Sequence, residues 1–261
     1  MPFYKTTTAD IYYEVHGAGT PLLMIAGMSS DSKSWQFILE ELKKEHTIIL
    51  FDNRGCGRTV YEGCFGLETI ADDAIELLDF LGFDKADIAG HSMGGMIAQE
   101  LVLKYPERVR RLVLASSSPR LSQKTKYILD ELSKKWEDGC DMADWFRIMF
   151  GNLFTQKSLS NKKFMDAVLI FACAYPYPQT LQGFKDQVAA ITGFDASGRI
   201  HQITHHTLII SGQEDILITP NESRVLTAMG GRNEFIIIEN AAHSIHAENP
   251  KGFTAALLRF V

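Results

Sequence analysis

The 261-residue chain has only four cysteines, Cys56, Cys64, Cys140 and Cys173, and none stands in a CxxC or Cys/His ligand spacing. That excludes a zinc site or a disulfide framework as the organising device, so no metal or cofactor is expected and a reducing, cytoplasmic setting is the default. A basic run is also missing: 26 Lys and Arg stand against 32 Asp and Glu, a formal charge of −6. Nucleic acid and anionic membrane surfaces are therefore poor partners, and a small neutral or uncharged-polar molecule fits better. No apolar window is long enough to span a bilayer, and residues 1–10 lack a basic segment leading into an apolar run. Membrane insertion and secretion are not expected. Internal repeats and low-complexity tracts are absent as well.

What is present is enough apolar material, 46% of residues, to bury one sizeable core. Short β-rich runs at 11–15, 22–26 and 47–51 alternate with an amphipathic segment at 35–44, the rhythm of a mostly parallel α/β sheet. It continues through a helix at 69–81, a strand at 86–89, a helix at 96–105 stopped by Pro106, and a strand at 110–115. After Ser116-Ser117-Ser118-Pro119 the pattern changes to aromatic-rich helical segments carrying Trp136, Trp145, Phe146, Phe150, Phe154, Phe164 and Phe171. The strand pattern resumes at 207–211 and 234–238, and a last helix runs from 250 to 260. These signals divide the chain into an α/β core, residues 1–118 and 192–261, and an all-helical insertion, residues 119–191.

Between the strand at 86–89 and the next helix lies GHSMGG, residues 90–95. A strand that must turn into a helix within a few residues forces the middle residue into a strained turn, and flanking glycines let the two arms approach. Ser92 would then stand exposed above the sheet edge, with the N-terminal end of the helix that starts near Met93 aimed at its hydroxyl. A serine needs a base to take its proton and an acid to orient that base. The strand 208–211 runs into Gly212-Gln213-Glu214-Asp215, at the sheet edge where open α/β folds bind ligands. The strand 235–239 is followed by Asn240-Ala241-Ala242-His243. This gives the order Ser92, Asp215, His243: nucleophile, orienting acid and general base.

Each position has rivals. Glu214 adjoins Asp215, but neighbours point in different directions and only one can face the imidazole. His246 could replace His243 as base, and is otherwise a pocket-wall or helix-start residue. His201, His205 and His206 lack an accompanying carboxylate or cysteine and read as surface residues rather than metal ligands. For the oxyanion of an attacked carbonyl, the N–H of Met93 is one donor, and Met28, after Gly27 in the loop following the strand 22–26, supplies the other. Asp52-Asn53-Arg54-Gly55-Cys56-Gly57-Arg58 reads as a turn that braces the loops around the site.

Together these motifs resemble the α/β-hydrolase superfamily over nearly the whole chain, in the manner of small esterases, 3-oxoadipate enol-lactonase-like and non-haem haloperoxidase-like members. GHSMGG is similar to its nucleophile elbow, DNRGCGR at 52–58 to its DxRGxGxS loop, SGQEDILITP at 211–220 to its GxxDxxxP acid motif, and HSIHAENP at 243–250 to its terminal HxxxxExP. The resemblance implies that the helical insertion is a lid. One departure stands out: Ala26-Gly27 occupies the place of the usual His-Gly, although Trp35 follows at the familiar distance.

Three functions compete on these residues. The first is a cofactor-free serine hydrolase of a small carboxylic ester or lactone. Trp136, Trp145, Phe146 and Met149 would then line a pocket, with Gly27 and His246, for an apolar acyl or ring moiety, or else serve only to pack the lid. A dianionic lactone would want a buried cation, for which Arg147 or Arg120 are candidates. The second is hydrolysis of a carbon–carbon bond, or haloperoxidase-like chemistry, with the same triad. The third is a non-catalytic ligand receptor of the same fold, disfavoured because all three positions carry competent residues.

Overall fold

The computed structural model describes residues 2–261. Its sheet contains β1 (Phe3–Lys5), β2 (Ala9–His16), β3 (Thr20–Ile25), β4 (His46–Phe51), β5 (Val60–Tyr61), β6 (Ala86–His91), β7 (Val109–Ala115), β8 (Thr207–Gly212) and β9 (Asn233–Ile238). They lie in the order β1-β2-β4-β3-β6-β7-β8-β9, with β5 paired to β2. From β4 onward along that order every neighbour is parallel, whereas β2 meets β1, β4 and β5 antiparallel.

The central strands read as continuous apolar runs because helices cover both faces. Along β3, Leu23 and Ile25 join one core, with Ile70, Ala74, Leu77 and Leu78 of α2 (Leu67–Phe80) and Met96, Ile97 and Leu101 of α3 (Met93–Lys104). Leu22 and Met24 join the other, with Ile38 and Leu42 of α1 (Gln36–Leu42), and with Phe253, Leu257 and Phe260 from the C-terminal helix. The period-two alternation thus splits one strand between two cores. All four of these β3 side chains are fully buried, so truncating Leu23 to alanine would cost about 2–5 kcal/mol.

Between β7 and β8 the chain leaves the sheet to form α4 (Gln123–Glu137), α5 (Met142–Leu153), α6 (Gln156–Ser160), α7 (Lys162–Cys173) and α8 (Leu181–Gly193). Each starts on a residue whose side-chain oxygen accepts a first-turn N–H: Ser122, Asp141, Thr155, Asn161 and Thr180. Leu132, Trp145 and Phe184 form the small core of this insertion. Its two stalks are paired: Arg120 bridges Asp195, and the Ala196 N–H donates to the Pro119 carbonyl at 2.8 Å. After β8 come α9 (Pro220–Arg224) and, beyond β9, α10 (Ile245–Glu248) and α11 (Pro250–Phe260).

The strands expected from sequence are present with ends moved by one or two residues. The helix expected at 35–44 opens as a 3-10 turn over Ser32–Trp35, and the one with its apolar stretch at 96–105 begins at Met93, the start expected from the turn at Ser92. β1 and β5 lie outside the sequence expectations, since strands of three and two residues carry no readable period.

Candidate active site

β6 ends at His91 and α3 begins at Met93, so Ser92 alone makes the corner, with φ 53° and ψ −118°. A positive φ on a non-glycine residue stores about 1–3 kcal/mol and persists only where the surroundings enforce it. Two glycines do so by proximity. A Cβ on Gly90 would sit 2.2 Å from the Gly94 carbonyl oxygen, and one on Gly94 would sit 2.1 Å from that of Ile25. Strand and helix therefore touch backbone to backbone.

Parallel pairing brings the ends of β6, β7 and β8 to one rim, and β9 delivers the next loop beside them. There the Ser92 hydroxyl donates to His243 Nε2 at 2.9 Å, and His243 Nδ1–H donates to Asp215 Oδ2, also at 2.9 Å. A carboxylate can only accept, which assigns the proton to Nδ1 and leaves Nε2 bare toward the serine. The other Asp215 oxygen accepts the N–H groups of Leu217 and Ile218 at 3.0 and 2.9 Å. Asp215 and His243 are both buried, whereas Glu214 is exposed. Of the two neighbouring carboxylates, only Asp215 meets the imidazole.

His246 lies in a row of rings: Trp35 to His246 at 5.0 Å between centroids, His246 to His91 at 4.7 Å, and His91 to His243 at 5.1 Å. It makes no bond to Ser92. Burial, then the neighbouring His243, hold its pKa down at about 4. Burial also pushes His91 well below the usual imidazole range, with His246 and His243 adding to the shift. His91 is therefore neutral, and its Nε2–H donates to the His243 carbonyl at 2.8 Å. The Ser116 hydroxyl reaches the same carbonyl at 3.1 Å. Sequence reasoning passes over His91 although it sits inside GHSMGG; only its bond across 152 residues of chain gives it a part here.

Among the described residues, neither the Met28 nor the Met93 backbone N–H donates to a protein acceptor. Ser29, next to Met28, has φ 56°, and its N–H is held by Gln187 of α8 at 2.9 Å. The 52–58 turn braces the same loop: Asn53 donates to the Ala26 carbonyl at 2.9 Å, and Asp52 takes Ser32 N–H and Arg58 at 2.8–3.1 Å. Arg54 grips buried Asp73 with two bonds of 2.7 and 2.8 Å.

Met28 packs against the insertion's core beside Trp136, Phe146 and Met149, all partly buried. Trp145 is fully buried, its indole N–H satisfied by the Leu132 carbonyl at 2.9 Å, and it forms the hub of that cluster. A Cβ on Gly27 would meet the His91 ring at 3.0 Å and Ser92 at 3.3 Å. Arg147 is exposed and paired with Asp144, and Arg120 is exposed on a stalk. His205 bonds the Pro106 carbonyl, His206 bonds Glu234, and His201 is exposed. Among the described residues, no three His, Cys, Asp or Glu side chains are grouped to hold a metal, and no helix is long and apolar enough to cross a membrane. A surface cleft of about 490 Å³, bordered by Glu68, Glu100, Asp195 and Arg199, includes none of Ser92, Asp215 and His243.

Comparison with known proteins agrees with this architecture. A family model described as alpha/beta hydrolase fold matches residues 20–250. A protein of Azorhizobium caulinodans, provisionally named carbamate hydrolase RutD, is 29% identical over all of this chain and 98% of its own. The 2-hydroxymuconate semialdehyde hydrolase of Pseudomonas sp. strain CF600 is 27% identical over 94% of this chain and 88% of its own. The crystal structure of MGS-M2, an alpha/beta hydrolase enzyme from a Medee basin deep-sea metagenome library, superimposes with TM-score 0.92 at 26% identity, covering 99% of this chain and 96% of that one. The chain belongs to the alpha/beta hydrolase fold family and is an enzyme of hydrolase type.

Proposed function

We propose that the enzyme cleaves a small carboxylic ester or lactone through Ser92, His243 and Asp215, by way of an acyl-enzyme and without a cofactor. The observation that carries this is the unbroken relay from Ser92 Oγ to His243 to Asp215, two contacts of 2.9 Å made from three separate strand ends. His243 Nε2 takes the serine proton as Oγ bonds to the substrate carbonyl carbon. The imidazolium that forms is held by Asp215, and its proton passes to the leaving alkoxide as the carbon–oxygen bond breaks. Water then repeats the sequence on the acyl-serine, returning the acid and free Ser92. The unpartnered Met28 and Met93 N–H groups are the donors for the carbonyl oxygen as it gains charge, each worth about 10²–10³ in rate.

On this reading the acyl group lies toward Met28, which packs with Phe146, Met149 and Trp136 in one apolar cluster. Arg147 and Arg120 are exposed to solvent rather than buried for a dianionic ligand, which favours an uncharged ester. A fluorophosphonate probe tests the reading: it labels the wild-type chain once, and Ser92→Ala abolishes the label. Persistent labelling of Ser92→Ala would reject the serine. A turnover screen of p-nitrophenyl esters of increasing chain length, small lactones, carbamates and a vinylogous diketone should place short uncharged esters first; the diketone leading would assign carbon–carbon cleavage instead.

A further inference from the structure

The terminal motif at 243–250 contains a carboxylate, Glu248, that the relay does not use. It sits on α10, partly buried, and its two oxygens face opposite ways. Oε2 accepts the Ala242 N–H at 2.8 Å, immediately before His243. Oε1 accepts the Thr155 N–H and hydroxyl, both at 2.9 Å, and the Ser158 hydroxyl at 2.5 Å, at the start of α6 in the helical insertion. On the other side of His243, the Ser244 N–H donates to the Leu153 carbonyl at 3.1 Å. The backbone on both flanks of the histidine is thus tied to one short stretch of the insertion, residues 153–155. The His243 carbonyl is fixed by His91 and Ser116 from the sheet.

We propose that Glu248 is a positioning residue: it fastens the His243 loop to the α5–α6 turn, so that the seating of the insertion and the aim of the imidazole are set by one carboxylate. The inference rests on the Ser92–His243–Asp215 reading. The chemistry of the partners supports it. Four donors converge on Glu248, which an ionised carboxylate accepts in full and a neutral amide cannot, because its NH2 end would confront either Ala242 N–H or the Thr155 pair. The loop between β9 and α10 has no regular structure from Asn240 to Ser244, so its conformation depends on individual bonds such as these. A displacement of an ångström at such a site is sufficient to lose about a hundredfold in rate.

The test is Glu248→Gln, with active sites titrated by fluorophosphonate so that kcat is expressed per reactive serine. The expected result is full titration, kcat per site reduced tenfold or more, KM within threefold of wild type, and partial recovery in Glu248→Asp. A kcat per site within twofold of wild type would overturn the proposal and leave Glu248 a structural residue only. Should Glu248→Gln not fold, the double variant Thr155→Val, Ser158→Ala decides: it keeps the bond to Ala242 and strips the insertion's side-chain grip. A threefold or larger fall in kcat per site supports the coupling, and unchanged kcat rejects it. Loss of labelling in Ser92→Ala, run alongside, separates the two failures. If that control keeps its label, the underlying reading is wrong; if it loses it and Glu248→Gln matches wild type, only the positioning role is wrong.

Discussion

The rim of the sheet and the helical insertion are ordered by different means. At the rim, Ser92, Asp215 and His243 come from positions up to 151 residues apart, and their meeting depends on parallel register across several strands and on backbone contacts too close for a methyl group. The insertion is held together locally. Each helix begins on its own side-chain cap, one aromatic cluster fills the interior, and α7 has no buried residue at all, with Ile170 68% and Phe171 51% exposed. The rim has little tolerance for displacement; the insertion is ordered within itself by caps and one cluster, and is fastened to the core at points such as Gly183 against Gly55 and Thr155 on Glu248.

Substitutions should expose that contrast most strongly at the chemistry. His243→Ala removes the proton acceptor but leaves the sheet intact, so turnover of p-nitrophenyl acetate should fall about ten-thousand-fold with an unaltered circular dichroism spectrum. A rate within tenfold of wild type would refute the assignment. Next come the glycines. Gly94→Ala forces a methyl into the Ile25 carbonyl and should cost about 3 kcal/mol or more in urea unfolding.

Between pH 7 and 5 acid should act on the core through its buried histidines, and the insertion contains no histidine. His246 titrates at about 4 in the folded chain and near 6.5 when unfolded, so below pH 6.5 the unfolded chain takes the proton first. Stability present at pH 7 is then lost as pH falls, by about 2 kcal/mol at pH 5 from this residue, and buried His91 pulls the same way. Urea midpoints across this range should show the decline, and His246→Leu should flatten it. The smallest effect has the opposite sign. Gly151 lies within α5, where an added methyl would meet nothing within 4 Å, so Gly151→Ala should stabilise by about 0.5–1 kcal/mol. Destabilisation there would mean the insertion is as tightly packed as the rim.

These two regions also differ in how much of them is legible in the sequence. GHSMGG is legible because a strand–serine–helix corner demands small residues at fixed offsets, and the proposed acid and base stand after strand ends that carry a carboxylate and an imidazole. Asp215 over Glu214 is legible only as a preference, and in the structure Asp215 alone of the two meets the His243 ring. His91 and Glu248 stand inside readable motifs, yet their partners lie 152 and about 90 residues away, where no periodicity reaches. The aromatic richness of 119–191 announces helices but not which rings face inward; Trp145 is the hub because its indole N–H finds the Leu132 carbonyl. Strands β1 and β5 are too short to leave a pattern.

The paired stalks at Arg120 and Asp195 have a consequence for the enzyme's capacity to change. Because the excursion departs and rejoins at adjacent points, β7 and β8 experience the same boundary whatever lies between. A different set of helices could be grafted onto those two points, altering what the proposed nucleophile is offered, provided the graft still gave Glu248 the donors that Thr155 and Ser158 supply beside the His243 loop.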